Sequence, residues 1–188
     1  SLTASQVTRM ILDKNGQSDV SVERVGGELT DHYDPRTNTI RLSESVYNST
    51  SVAAIGVAAH EAGHAAQHAA GYFPIKIRNA LVPVANFSSY IAVPMVILGA
   101  VLEFGGLIDL AIILYSAVVL FSLVTLPVEF NASRRAIKTL DEYGILTAQE
   151  NEGAKKVLSA AAMTYVASTL AALGSFLRIL ALFGRRRD

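Results

Sequence analysis

Val52 to Ala70 reads VAAIGVAAHEAGHAAQHAA, and within it His60-Glu61-Ala62-Gly63-His64 follows the pattern HExxH. On a helix, residues four apart lie one turn apart on the same face, so His60 and His64 can aim two imidazoles at one point. Zinc sits about 2.0–2.1 Å from imidazole nitrogens in protein sites, which that spacing suits. Glu61 lies between the two, placed to take a proton from an activated water. A helix is expected because Asn48-Ser49-Thr50-Ser51 offers N-cap side chains, Ala-rich sequence comes next, and Gly71 can close the C-terminus. The plainer reading, an Ala-rich helix whose histidines are merely satisfied core groups, is weaker, since unpaired buried imidazoles are costly.

Zinc needs a third protein ligand. His68 extends the series, but at 1.5 Å of rise per residue it stands about 12 Å along the axis from His60, too far to share one ion. Ten residues after His60, where a metzincin would carry its third histidine, the chain has Ala70. The ligand is therefore expected from a second helix, as a carboxylate, and Glu129 is the choice. His68 then reads as a surface residue or as a support for the ligands.

The 188 residues suffice for one domain with a sizeable core. Sixteen basic and sixteen acidic residues cancel, which gives no electrostatic case for nucleic acid. The chain has no cysteine, so thiolate metal sites, disulfides and cysteine nucleophiles are excluded together. Hydrophobic residues make up 51%, unevenly placed. The sequence opens on Ser1 without a basic-plus-apolar leader, from which we expect the natural start to have been removed.

Leu2 to Lys14 has a helical rhythm (Val7, Met10, Ile11) that stops at Asn15-Gly16. Val20 to Val25 and Thr39 to Leu42 have strand character. Between them Asp34-Pro35 and Thr37-Asn38 are turn chemistry, so Leu29 to Tyr33 and Thr39 to Leu42 are expected to form a small hairpin, on whose edge a peptide could pair. His32 lies in that hairpin, where a surface position is the ordinary outcome.

Asn79 to Leu102 carries no charge, which exceeds the roughly 20 residues needed to cross a 30 Å hydrocarbon core. Pro83 and Pro94 interrupt it, as membrane helices tolerate. After a tight turn over Glu103 to Asp109, Leu110 to Val128 is uncharged as well. These two runs read as a transmembrane hairpin, because a chain of this length cannot easily bury both. The second helix is expected to end at Pro127-Val128-Glu129, delivering Glu129 to the side where the HExxH helix waits. A carboxylate at the end of such a helix is costly unless paired or bound, and zinc would resolve that cost. Ser133 to Leu158 reads as charged helix broken at Gly144, with Thr147 capping the next helix. Val157 to Leu177 is a third uncharged run, suited either to a membrane span or to burial. Lys76 and Arg78, then Arg134, Arg135 and Lys138, flank the hairpin, while its loop holds Glu103 and Asp109. By the positive-inside rule the catalytic face is then cytoplasmic. Arg185 to Arg187 conflict with this if the third run crosses.

With these residues in place, the chain resembles the YugP-type family of zinc-dependent membrane proteases. The likeness lies in GGELTDHYDPRTNTIRLSESVYNSTSVAAIGVAAHEAGHA, in LPVEFNASRRA and in AKKVLSAAAMTYVA, and so covers nearly the whole length. Members of that family begin with an apolar helix that is absent here. More distantly the chain is similar to HtpX-like gluzincin metallopeptidases, which pair HExxH with a later Glu-x-x-x-Asp. Here that segment is Glu129-Phe130-Asn131-Ala132-Ser133, with Ser133 at the aspartate position. The resemblance also implies Glu129 as the third ligand.

The expectation is a mainly α, integral-membrane protein with a zincin-like HExxH helix, a small β-hairpin, a transmembrane helical hairpin and room for a third membrane helix. It is read as a single domain over 1–188: 1–78 with the HExxH helix, 79–128 the hairpin, 129–158 the third-ligand segment, and 159–184 an apolar helix. The expected function is a zinc-dependent endopeptidase with one Zn²⁺ per chain on His60, His64 and Glu129, a water in the fourth position, and Glu61 as general base. His68, Arg134 and Tyr165 are candidates to support the ligands or to donate to an oxyanion. The expected partners are a membrane-associated peptide or protein substrate and the lipid bilayer, in the plasma membrane if the source is prokaryotic. Nucleic acid is not expected; self-association is open. The alternative is a non-catalytic zinc-binding membrane scaffold or sensor, against which an intact Glu61 argues, since a purely structural site needs no base. A transporter subunit would carry ionisable residues within its spans, and the first two runs contain none.

Overall fold

The computed structural model of the chain describes residues 2–183. The terminal Arg185 to Arg187, and the last residue of the expected 159–184 helix, lie outside the described residues. The chain divides into two compact units. One comprises residues 1–72 and 128–162, and the other residues 73–127 and those from Met163 onward.

The first unit opens with helix α1 (Ala4–Lys14). Thr3 and Gln6 form a reciprocal capping box at its start, and Gly16, at φ 69°, takes the left-handed conformation just past its end. Strands β1 (Ser21–Val25), β2 (His32–Asp34) and β3 (Thr39–Ser43) come next, then the short α2 (Glu44–Tyr47) and α3 (Val52–Ala69). Ser51 caps α3 by accepting from the Ala54 amide, and Gly71, at φ 63°, ends it.

The sheet departs from the expected hairpin in two ways. Its order is β1-β3-β2, so β3 is central, pairing parallel with β1 and antiparallel with β2. The β2 strand is also shorter than Leu29 to Tyr33. Leu29 sits at φ 57° and is 96% exposed, so Gly26 to Thr30 forms a loop, not a strand. Asp31 holds that loop to the end of β3, accepting from the Ser43 amide and hydroxyl at 2.8 and 2.9 Å.

Helix α5 (Gly105–Glu142) and helix α6 (Ala148–Phe183) contribute their charged parts to this unit. The core joins Val7, Ile11 and Leu12 of α1, Ile40 and Leu42 of β3, Ala54, Ala58, Ala59, Ala62 and Ala65 of α3, and Ala136, Leu140 and Leu158. The expected helix end at Pro127 does not occur. Proline lacks an N–H and forfeits one bond to residue i−4, yet long apolar helices accommodate that loss, and α5 runs on through Glu129 to Glu142. The break falls at Gly144, at φ 59°.

In the second unit, α4 (Phe73–Val101) carries Pro83 and Pro94 inside it. A turn over Leu102 to Phe104 returns the chain, with Glu103 at φ 51°, and α5 begins directly at Gly105. Gly99 permits this reversal, because a Cβ there would lie 2.7 Å from Ile108 Cγ1. Helices α4, α5 and α6 are each long and apolar enough to cross a membrane, so the third uncharged run joins the other two as a candidate span. At most 22% of the residues in their most apolar windows are buried, and Tyr90, Ile97, Val101, Ile113 and Leu170 point outward. Apolar side chains on outer faces suit lipid, not water.

Within the first unit, α3 and α5 approach closely at Gly63, where a Cβ would meet the Ala132 carbonyl oxygen at 2.7 Å. At Gly56 a Cβ would make ordinary contact with Ala154 Cβ at 3.5 Å. Both glycines are helical, so alanine gains helix propensity of up to about 1 kcal/mol at each. Only at Gly63 does an overpacking cost of about 1–3 kcal/mol oppose it. Gly63→Ala is expected to lower the thermal unfolding midpoint in detergent, whereas Gly56→Ala leaves it unchanged or raises it.

Candidate metal site

The close approach at Gly63 brings α5 against the face of α3 that carries both histidines. Their rings lie edge to face, centroids 4.7 Å apart. His60 Nε2 is 3.1 Å from Glu129 Oε2, and His64 Nε2 is 3.6 Å from the same oxygen. One donor atom from each of these three residues lies within 4.8 Å of the others, a grouping that can hold a metal ion. Glu129 is 2% exposed and Glu61 8%. A buried carboxylate is destabilising by several kcal/mol unless a cation or strong donors compensate.

The far nitrogens of the two imidazoles reveal the chemistry at the point where the near ones converge. Gln67, fully buried, donates from Nε2 to the Val128 carbonyl at 2.8 Å and to Asn131 Oδ1 at 2.9 Å. Asn131 Oδ1 also accepts from Arg135 Nε at 2.9 Å. A backbone carbonyl can only accept, so the Gln67 amide is fixed with Oε1 toward His64, and His64 Nδ1 must donate to it at 3.0 Å. In a neutral imidazole that leaves a lone pair on Nε2, facing the Glu129 carboxylate. Two electron-rich atoms meet there, and the arrangement calls for a cation between them, a metal ion or a proton. Burial lowers the pKa of His64, but its bond to Glu129 and the charges of Glu61 and Glu129 outweigh that and hold it above the ordinary imidazole value. Two imidazoles and a carboxylate also match the donor set of zinc sites that keep a fourth position open. The residues present therefore fit the ion.

His60 is supported differently. Its Nδ1 lies 3.1 Å from Ser133 Oγ, so the serine hydroxyl reaches this imidazole. His68 is exposed, its ring 6.0 Å from that of Tyr33. His32 is exposed on β2, with Nδ1 2.7 Å from the Thr30 carbonyl oxygen. Arg134 is exposed on α5, and Tyr165 belongs to the second unit. Sequence reasoning missed Gln67 and Asn131. The usable signal for Gln67 was a side-chain amide three positions after His64 and seven after His60, hence on the same face.

A family described as "Putative neutral zinc metallopeptidase" matches residues 1–184. The chain belongs to this family. It is 50% identical over 187 residues to "Putative membrane protease YugP" of Bacillus subtilis (strain 168), which covers 99% of this chain and 83% of that protein. No solved structure matches the chain. Membership implies zinc and peptide substrates, and the three apolar helices agree with the membrane association in the relative's name.

Removing the acceptor at His64 Nδ1 frees that imidazole to turn. Gln67→Leu is expected to weaken zinc binding by about 10–100-fold, as loss of ligand-orienting partners typically does. Gln67→Glu, which keeps an acceptor, should recover part of that loss. Competition with a chelator of known affinity measures both.

Proposed function

We propose that this protein is an integral-membrane zinc endopeptidase of the gluzincin type, with one zinc ion per chain held by His60, His64 and Glu129. The observation that carries this reading is the convergence of both Nε2 atoms on one buried carboxylate oxygen, with His64 Nδ1 committed as a donor. Bound there, zinc would act as a Lewis acid that acidifies water and polarises the scissile carbonyl.

The chain's own groups do the rest. Glu61, one residue beyond His60 on α3, accepts the proton of the attacking water and passes it to the departing amine. The side chain of Glu61 is buried, away from bulk solvent. Gln67 and Ser133 keep the imidazoles aimed, and Gly63 keeps α5 within reach. His68, Arg134 and Tyr165 are the candidates for donating to the oxyanion. A zincin-like arrangement fits an HExxH helix beside a three-stranded sheet whose edge strands are β1 and β2. The substrates are peptides or proteins at the bilayer. The location is the plasma membrane if the source is prokaryotic, with the catalytic face cytoplasmic, since Lys76, Arg78, Arg134, Arg135 and Lys138 all flank the hairpin on that side.

Metal analysis of detergent-purified protein tests the site. About one zinc per wild-type chain is expected, sharply reduced in Glu129→Ala; zinc retained without Glu129 would place the third ligand elsewhere. Glu61→Gln should keep its zinc and lose about 10²–10⁴-fold in peptide turnover. Full turnover in that variant would refute the mechanism, and zinc without any wild-type turnover would favour the scaffold or sensor. Because the chain has no cysteine, single cysteines at Asp109 and Lys138 report topology. The expected outcome is labelling of the Asp109 position alone from outside the cell.

A further inference from the structure

A second feature of the first unit lies between the C-terminal part of α5 and the start of α6. A groove of about 360 Å³ runs there, and Ser133, whose hydroxyl touches His60, forms part of its wall. Its lining is graded. Phe130, Arg134 and Lys138 line it from α5, and Lys155, Leu158 and Ala162 from α6. The gradient runs with the chain in both helices. Along α5 the uncharged run 110–128 is succeeded by Phe130, then Arg134, then Lys138. Along α6 Lys155 comes first, then Leu158 and Ala162, as the uncharged run 157–177 proceeds. The apolar end thus adjoins the membrane-type sequence of both helices, and the basic end points away from it.

We propose that this groove binds an anionic phospholipid of the bilayer, with the acyl chain along Phe130, Leu158 and Ala162 and the phosphate headgroup among Arg134, Lys138 and Lys155. The chemistry matches at both ends: a phosphate headgroup satisfies clustered cations at the membrane surface, and the acyl chain covers apolar surface that water would otherwise meet. Lys138 and Lys155 are presently held by Glu142 and Glu152, each at 3.4 Å, in exposed pairs that a phosphate can displace at little cost. Arg134 makes no ion pair among the described residues and is the natural first contact. A soluble acidic peptide would satisfy the cations equally, but it does not account for an apolar end that continues into two membrane-type runs.

The chain has no tryptophan, so Phe130→Trp places a single fluorophore at the apolar end. The full-length variant is reconstituted in vesicles containing phosphatidylglycerol or phosphatidylcholine brominated on the acyl chains. Quenching by the brominated anionic lipid is expected at about tenfold lower mole fraction than by the zwitterionic one. Adding Arg134→Gln, Lys138→Gln and Lys155→Gln should bring the two lipids to parity while quenching by brominated phosphatidylcholine persists, which shows the protein still folded and inserted. Glu142→Gln with Glu152→Gln should strengthen the anionic preference. Equal quenching by both lipids, or a preference that survives the triple substitution, overturns the proposal. Relief of quenching by a soluble Glu-rich peptide at constant lipid composition overturns it in favour of peptide binding. The readout needs neither zinc nor hydrolysis, so the same preference in a His60→Ala background keeps this result separate from the fate of the peptidase reading.

Discussion

The site depends on how near α5 can come to α3, and Gly63 sets that distance. With a Cβ at this position the Ala132 carbonyl would lie 2.7 Å away, closer than any side-chain carbon can stand. Small residues recur on both helices: Ala58, Ala59, Ala62 and Ala65 on α3 and Ala132 and Ala136 on α5 are all buried. Alanine-rich helices have little apolar area to bury, so this contact is a weak source of hydrophobic stability. Its use is geometric. A carboxylate side chain is short, and Glu129 can reach both Nε2 atoms only because the helix axes are drawn together.

Closeness creates an electrostatic problem that the surrounding residues organise. Glu129 is buried beside two imidazoles, and Gln67 commits His64 to donating away from it. Gln67 can do so only because its own amide is anchored by the Val128 carbonyl and by Asn131, which Arg135 anchors in turn. The chain from Arg135 to His64 comprises three hydrogen bonds, each with its direction set. Such a network is worth little if one member is free to rotate, and here none is. The preorganisation sits on two helices, which hold side chains more tightly than loops do.

Much of this was legible in the sequence, and the parts that were not have identifiable causes. The start and end of α3 are set by Ser51 and Gly71, and the end of α1 by Asn15-Gly16, because caps are local. The apolar runs are legible because membrane-type helices are long and uncharged. The three side chains named as ligands are the three that the structure brings together, since spacing and the shortage of histidines left few choices. Pairing β1 with β3 was not legible, for parallel neighbours across a loop leave no local signature. The continuation of α5 past Pro127 was missed because proline is a helix breaker in water and a tolerated residue in an apolar helix, and the sequence alone does not say which rule applies. Gln67 escaped because an amide in an alanine run carries no motif.

A single helix carries the lipid-facing run, the buried carboxylate, the orienting network and the groove, and it can do so because successive residues turn by about 100°. Glu129, Ala132, Ser133 and Ala136 look toward α3 or stand at the edge of that face. Asn131 and Arg135 lie to one side of it, where the Gln67 amide is met. Phe130, Arg134 and Ile137 lie on the other side and line the groove with α6. Ser133 stands at the seam, its hydroxyl on His60 and its position in the groove wall. A helix that ended at Pro127 would have separated these faces into independent loops. Its continuation keeps the hydroxyl that meets His60 and the wall of the groove within one turn of the same backbone.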